Sequence, residues 1–239
     1  MYNGITIFTI TYNEEFMLPF FIKHYREMFP GCNIVVYDNE STDDTVKIAK
    51  ENNCEVITYK TDNQISDRKY LEIKNNCWKN SNTNWNIVCD CDELCLISEG
   101  DLIEEDFLGS SIIKLIGYDM VNLSDENTII LEELNFGARN YLYDKCLIFN
   151  KECISEINYQ PGCHELIPIG NIKYQQIKYY KLLHYKYIGF DFLCKRYSLF
   201  YERLSHENKT MGWGIQYTKD IESIKTVFEK KRTSAIKLW

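Results

Sequence analysis

Two carboxylates one residue apart, Asp90 and Asp92, close the apolar run Trp85-Asn86-Ile87-Val88-Cys89-Asp90-Cys91-Asp92-Glu93. On a strand, side chains alternate between faces, so Asp90 and Asp92 would project one way while Cys89 and Cys91 enter the opposite layer. The carboxyl ends of buried strands are where open α/β sheets bind ligands. A carboxylate pair there suits a hard divalent cation that takes its remaining oxygens from a phosphate-bearing substrate. The bland alternative is a strand end with solvated acids, since Asp-x-Asp is common by chance in an acidic chain. Its position after a buried strand is what favours the metal.

Such a pair needs a parallel sheet to hold it, and the preceding residues supply one. Residues 4–11 are β-branched and apolar, which predicts a buried strand. After Thr11-Tyr12-Asn13-Glu14-Glu15, the residues Met17, Phe20, Phe21, His24 and Met28 recur on one helical face, with Pro19 tolerable in the first turn and Pro30-Gly31 as the stop. Ile34-Val35-Val36-Tyr37 reads as a second strand ending in Asp38. Ser41 or Thr42 is expected to cap a helix to about Glu51, with Asp43 and Asp44 favourable at its amino end. Residues 54–59 read as a third strand. Ser66 opens another helix, on which Tyr70, Ile73 and Cys77 share a face, and the strand carrying the two acids follows. Alternating strands and helices predict an α/β fold, a mostly parallel sheet with right-handed crossovers.

Beyond Gly100 the pattern loosens. Residues 101–115 read as helical, 120–123 and 146–149 as strands, and 158–170 as a loop. Gly189 begins an amphipathic helix with Phe190, Leu193, Tyr197, Tyr201 and Leu204 at helical spacing. Gly212-Trp213-Gly214 interrupts, either as a mobile lid with an aromatic wall or as a helix stop with a packed Trp, and a charged helix closes the chain. With no repeat, low-complexity linker or composition break, the expectation is one domain over residues 1–239, made of a half at 1–99 and a half at 100–239.

The bulk composition narrows the classes. At 239 residues with 45% hydrophobic content the chain can bury a sizeable core, and a net charge of −8 argues against a general nucleic-acid binder. Ten cysteines stand singly, without a Cys-x-x-Cys pair, which speaks against a zinc ribbon and for free thiols in a reducing compartment. The amino terminus enters a strand without a signal-peptide pattern, and no apolar run approaches a membrane span. A soluble, cytoplasmic protein is expected.

Three segments then carry a resemblance: Thr9-Ile10-Thr11-Tyr12-Asn13-Glu14, the stretch Val36-Tyr37-Asp38-Asn39-Glu40-Ser41-Thr42-Asp43-Asp44-Thr45, and the run from Trp85 to Glu93. Together they resemble the nucleotide-binding half of GT-A glycosyltransferases, and above all glycosyltransferase family two and its relatives with a Cys-His and a His-Tyr element downstream, here Gly162-Cys163-His164 and His184-Tyr185-Lys186. The resemblance is specific over residues 4–93 and thinner after Gly100. One departure is Glu40, which stands where the family usually has glycine or a small residue. The resemblance implies a GT-A (Rossmann-like) sheet flanked by helices, with a smaller mixed acceptor-side region, and a nucleotide-sugar donor used with Mn²⁺ or Mg²⁺. Asp92 would be the first metal ligand and His184 a further one, which requires a neutral imidazole. Asp90 would bind the ribose or reach the metal through water, with Cys91 between them in the donor segment. Thr11, Tyr12, Asn13 and Glu14 would form the loop at the nucleobase, and Asp38 a base or ribose contact.

Each of these has a plainer rival. Asn13 could cap a helix, and Asp38 could form a turn before Asn39. Asp67 and Arg68 would contact the nucleotide or supply first-turn charge. His184, beside Leu182-Leu183, could be a hydrogen-bonded core histidine. His164 lies in a turn-rich loop, where a role in the acceptor or donor pocket is favoured. His24 and His206 read as structural. Family-two members usually invert configuration, so a carboxylate base is implied, with Glu165 and Asp191 as candidates; Asp191 serves equally well as a first-turn acid paired with Lys195. The leading function is a metal-dependent glycosyltransferase with a UDP-sugar donor and an unidentified glycan, lipid or protein acceptor. A sugar-phosphate nucleotidyltransferase is disfavoured because the loop after the first strand is acidic and lacks glycine. A non-catalytic carbohydrate- or partner-binding module is the third reading.

Overall fold

Residues apolar on both faces belong in the middle of a sheet, and β1 (Ile5–Thr11) lies there, buried above and below. The computed structural model describes residues 1–124 and 128–239. In it α1 (Leu18–Met28) leads to β2 (Asn33–Asp38), α2 (Thr45–Glu51) to β3 (Glu55–Thr58), and α3 (Asp67–Asn76) to β4 (Trp85–Asp90). All four strands are parallel, in the order β3-β2-β1-β4. The register sets Thr11 beside Asp38 and Ile10 beside Asp90, so three carboxyl-terminal strand ends emerge along one edge. This is the edge where the mostly parallel α/β sheet of the GT-A type was expected to bind its ligand.

The chain then turns at Cys91-Asp92 into β5 (Glu93–Leu96), followed by α4 (Glu99–Phe107), β6 (Ile112–Ile113), β7 (Leu115–Val121), β8 (Phe136–Arg139) and β9 (Ile148–Asn150). After β10 (Ile154–Glu156), β11 (Ile169–Gly170) and β12 (Tyr180–Tyr187) come α5 (Phe190–Arg203), α6 (His206–Met211), α7 (Ile221–Ser234) and β13 (Ile236–Lys237). Strands β9 and β6 extend the first sheet antiparallel beyond β4. A second, five-stranded sheet runs β13-β8-β7-β12-β5. Because β5 leaves the turn after Asp90 and pairs with β12, the two sheets meet where the carboxylates sit. One hydrophobic cluster draws on both sheets; a smaller one under α5 and α7 contains Val121, Tyr187, Leu193 and Phe228.

Four local readings are corrected. The helix expected over 101–115 stops at Phe107: a Ser98–Asp101 capping box starts it, Gly109 at φ +81° follows its end, and the β-branched Ile112-Ile113 are strand. The helix before Glu51 begins only at Thr45, without a side-chain cap, because Ser41, Thr42 and Asp43 bond the loop after β1 instead. Helix α1 buries Leu18, Phe21, Ile22 and Tyr25, a face rotated from the one expected. Strand β12 was not anticipated, since six of its eight residues are buried and no polar alternation marks it. All ten cysteines are free, and among the described residues no helix is long and apolar enough to cross a membrane.

Candidate active site

The loops after β1 and β2 are stitched together by short polar side chains. Glu14 N–H donates to Thr45 Oγ1 at 2.7 Å, Asn13 N–H to Ser41 Oγ at 2.9 Å, and Thr42 N–H to Asn13 Oδ1 at 2.8 Å. Asn13 therefore caps no helix; it sits at φ 54° as a cross-loop tie. Glu40 has φ 56°, a left-handed conformation that favours glycine, which accounts for the small residue that the resemblance led one to expect there. Asp38 is buried. Its Oδ2 accepts from Ser41 N–H at 3.1 Å, while Oδ1 has no hydrogen-bond partner.

From this edge a cleft of about 360 Å³ opens between the two sheets and the α5–α6 region. Asp90 and Asp92 both line it, and each faces a cation. Lys74 Nζ, buried on α3, lies 2.6 Å from Asp90 Oδ1. Burial opposes the charge on Asp90, but the ammonium groups of Lys74 and Lys145 outweigh it and hold the carboxyl below its usual range. Arg196 on α5 reaches Glu14 Oε2 at 2.8 Å and Asp92 Oδ2 at 3.4 Å. Burial raises the Glu14 carboxyl even against that guanidinium.

His184 comes to Asp92 through strand pairing: it stands opposite Glu93, and Tyr185 N–H donates to the Asp92 carbonyl at 2.8 Å. Its Nδ1 meets Asp119 Oδ1 at 2.8 Å, and its Nε2 lies 3.7 Å from Asp92 Oδ2. Asp119 is fully buried on β7. Burial would raise its carboxyl, yet His184 and Lys231, whose Nζ is 2.6 Å away, lower it to about 2. A carboxylate on Nδ1 fixes the imidazole so that Nε2 presents its lone pair to the cleft, the usual arrangement of a metal-binding histidine. Tyr143 stacks on the ring at 3.9 Å between centroids. A divalent cation fits this donor set as a two-ligand site: among the described residues no group of three potential ligands occurs, and substrate oxygens would complete the coordination.

Of the residues singled out in the sequence, Thr11, Tyr12, Glu14, Asp67, Asp90, Cys91, Asp92, His164 and His184 line the cleft. Cys91 is itself buried, and burial raises the Asp67 carboxyl. Asn13, Asp38, Arg68, Glu165 and Asp191 do not line it. Arg68 Nε donates to Glu207 at 2.9 Å. Asp191 lies in the first turn of α5, in a separate depression with Phe190 and Lys225. Glu165 is exposed. Trp213 and Gly214 line the cleft beyond the left-handed Gly212 that ends α6. Lys74, Asp119, Tyr143, Lys145 and Arg196 went unremarked in the sequence, and Lys186 entered only as the last residue of the His-Tyr element. Two carried a signal: Asp119 interrupts an apolar strand, and Arg196 sits between Phe192 and Phe200 at helical spacing, its guanidinium 5.7 and 5.0 Å from their rings.

One family profile matches the stretch that forms this edge of the sheet. Residues 6–98 match the profile of glycosyl transferase family 2. The match covers less than half of the chain. It takes in the parallel strands, the Asp90–Asp92 turn and β5. Among solved structures, residues 1–349 of TarS from S. aureus are similar at 15% identity and a TM-score of 0.46, over 82% of this chain and 65% of that one. Mannosyltransferase PcManGT from Pyrobaculum calidifontis, in complex with GDP-Man and Mn²⁺, is similar at 16% identity and a TM-score of 0.37, over 48% of this chain and 35% of that one. Glucosyl-3-phosphoglycerate synthase from Mycobacterium tuberculosis, with Mn²⁺, UDP and glucosyl-3-phosphoglycerate, is similar at 16% identity and a TM-score of 0.34, over 48% and 44%. The chain thus spans between about a third and two thirds of the length of these structures. No curated protein matches it.

Proposed function

We propose that the chain is a glycosyltransferase that moves a sugar from a nucleotide diphosphate donor, UDP in the first instance, to a hydroxyl acceptor with inversion. The observation that carries this reading is the His184 ring, anchored by buried Asp119 and turned toward Asp92 at the end of the family 2 segment. Asp92 and His184 would hold Mn²⁺ or Mg²⁺, which as a Lewis acid would neutralise the departing diphosphate. Asp90, whose Oδ1 is held by Lys74, keeps a second oxygen for a ribose hydroxyl. Arg196 holds Glu14 and Asp92 in one cluster, which ties α5 to the donor loop.

In the transfer, the acceptor oxygen bonds to the anomeric carbon, the bond from that carbon to the diphosphate breaks, and its electron pair stays on the diphosphate. The hydroxyl proton needs a base at the cleft. Neither Glu165 nor Asp191 lines it, and we assign the role to His164. Its Nδ1 lies 2.6 Å from the Leu142 carbonyl, so that nitrogen carries the hydrogen and Nε2 the lone pair. Gly162 makes room for the ring, since a Cβ there would lie 2.6 Å from His164 Cδ2.

The test is hydrolysis of a UDP-sugar by the full chain with Mn²⁺ and no acceptor. Slow release of UDP is expected, with Asp92→Ala abolishing it. A wild-type protein that neither turns over nor binds any member of a sugar-nucleotide panel would reject the reading.

A further inference from the structure

The cleft is lined by four long basic side chains, and three of them are already neutralised. Lys74 pairs with Asp90, Lys145 with Glu93, and Arg196 with Glu14 and Asp92. Lys186 has no carboxylate within ion-pair distance among the described residues. It stands two positions beyond His184 on β12, at an irregularity: His184 pairs with Asp119 and Tyr187 with Val121, so Tyr185 and Lys186 together oppose Met120 alone. A bulge of this kind re-aims a side chain and is common beside active sites. Tyr185 goes into the core against Phe20, at 5.2 Å between ring centroids, while Lys186 lines the cleft. Its Nζ rests 5.1 Å from the Tyr197 ring centroid and 5.9 Å from that of Tyr187, aromatic faces that hold a cation without neutralising it. A half-buried cation without a counter-ion, at a built irregularity beside the candidate metal ligands, is a place for an anion that the substrate brings.

Resting on the nucleotide-sugar reading, we propose that Lys186 binds the diphosphate of the donor and stabilises it as the leaving group. The ammonium donates charge-assisted hydrogen bonds to phosphate oxygens, and these strengthen as the bond to the sugar breaks and its electron pair settles on the diphosphate. Lys186 acts from β12, on the same strand as His184, so diphosphate and candidate metal are gripped by one rigid element. It adds a second positive group to the leaving-group side, independent of Asp92.

The experiment is calorimetry on the full chain with Mn²⁺, titrating uridine and guanosine diphosphates and monophosphates into wild type, Lys186→Met and Lys186→Arg. Wild type is expected to prefer the diphosphate of one base. Lys186→Met should weaken that diphosphate about tenfold to a hundredfold while leaving its monophosphate unchanged, and Lys186→Arg should recover most of the loss. With a sugar nucleotide, kcat of Lys186→Met should fall further than KM rises, because the charge grows in the transition state. Undiminished diphosphate affinity in Lys186→Met overturns the role of Lys186 and leaves the nucleotide reading standing. An equal loss for diphosphate and monophosphate overturns it too, as the sign of a merely structural residue. If wild type binds none of the four nucleotides, the nucleotide reading itself fails.

Discussion

Two histidines line the cleft, both against the Tyr143 ring, and differ in what holds Nδ1. The Asp119 carboxylate on His184 Nδ1 orients the ring with Nε2 toward Asp92, whereas the Leu142 carbonyl on His164 Nδ1 fixes that ring's tautomer. Burial, and then the nearby Lys145 ammonium, lower His164 below its ordinary value of 6.5. The neutral, base-competent form therefore persists below pH 6.5 and is lost only as pH falls through the lowered value. The acid limb of kcat/KM for sugar transfer should lie below pH 6.5, and His164→Gln should slow transfer by about 10²–10⁴-fold. A pH–rate profile of both proteins checks this. An acid limb at or above 6.5, or one retained in the variant, would remove His164 from the reaction.

At the scale of elements, the site depends on how closely the segment after β8 packs on β7. Gly117 of β7 has Tyr143 against it: a Cβ there would stand 2.3 Å from Tyr143 Cβ and 2.5 Å from its carbonyl carbon. Backbone cannot give way as a side-chain tip can. Arg139 and Asp144 lock the same approach, Arg139 Nη1 donating to the Gly117 carbonyl at 3.0 Å and Gly117 N–H to Asp144 Oδ1 at 2.9 Å. Gly117→Ala should therefore cost about 1–3 kcal/mol or more by overpacking and displace the Tyr143 ring from His184. Denaturant unfolding measures the first effect and loss of Mn²⁺ affinity the second. A variant as stable as wild type would show that the segment is free to move. The carboxyl end of α5 is tied as firmly: Arg203 lies over the Tyr12 ring and donates to Asn39 Oδ1 at 2.6 Å, so this helix packs on the loops after β1 and β2.

For the whole molecule, Asp119 joins three elements that are far apart in the chain, β7, β12 through His184, and α7 through Lys231. Its carboxyl is lowered from 3.8 to about 2 by His184 and Lys231 against burial. A depressed carboxylate contributes stability that is present above the unfolded value and lost as pH falls through the folded one. The loss should amount to about 2 kcal/mol between roughly pH 5 and pH 2. Asp119→Asn should be less stable than wild type at neutral pH, and the gap should close on acidification through that window. Denaturant midpoints at stepped pH check this, and a gap that stays constant down to pH 2 would count against it.

The sequence by itself determined the parallel half of the molecule. Buried β-branched runs ending in Thr11, Asp38 and Asp90, separated by amphipathic helices, admit little besides a right-handed parallel sheet with those ends along one edge. That local pattern also placed Asp90 and Asp92 at the ligand-binding edge, and the family 2 match covers the same stretch. What only the tertiary structure decided is which groups face those acids. Lys74, Arg196 and Lys186 reach the cleft from α3, α5 and β12, and Asp119 backs His184 from β7. Pairings across 16 to 104 residues have no period in sequence for a reader to find. Strand β12 was hidden because a strand buried on both faces loses the alternation that marks one, and its hidden position is what turned His184 from a core histidine into the neighbour of Asp92.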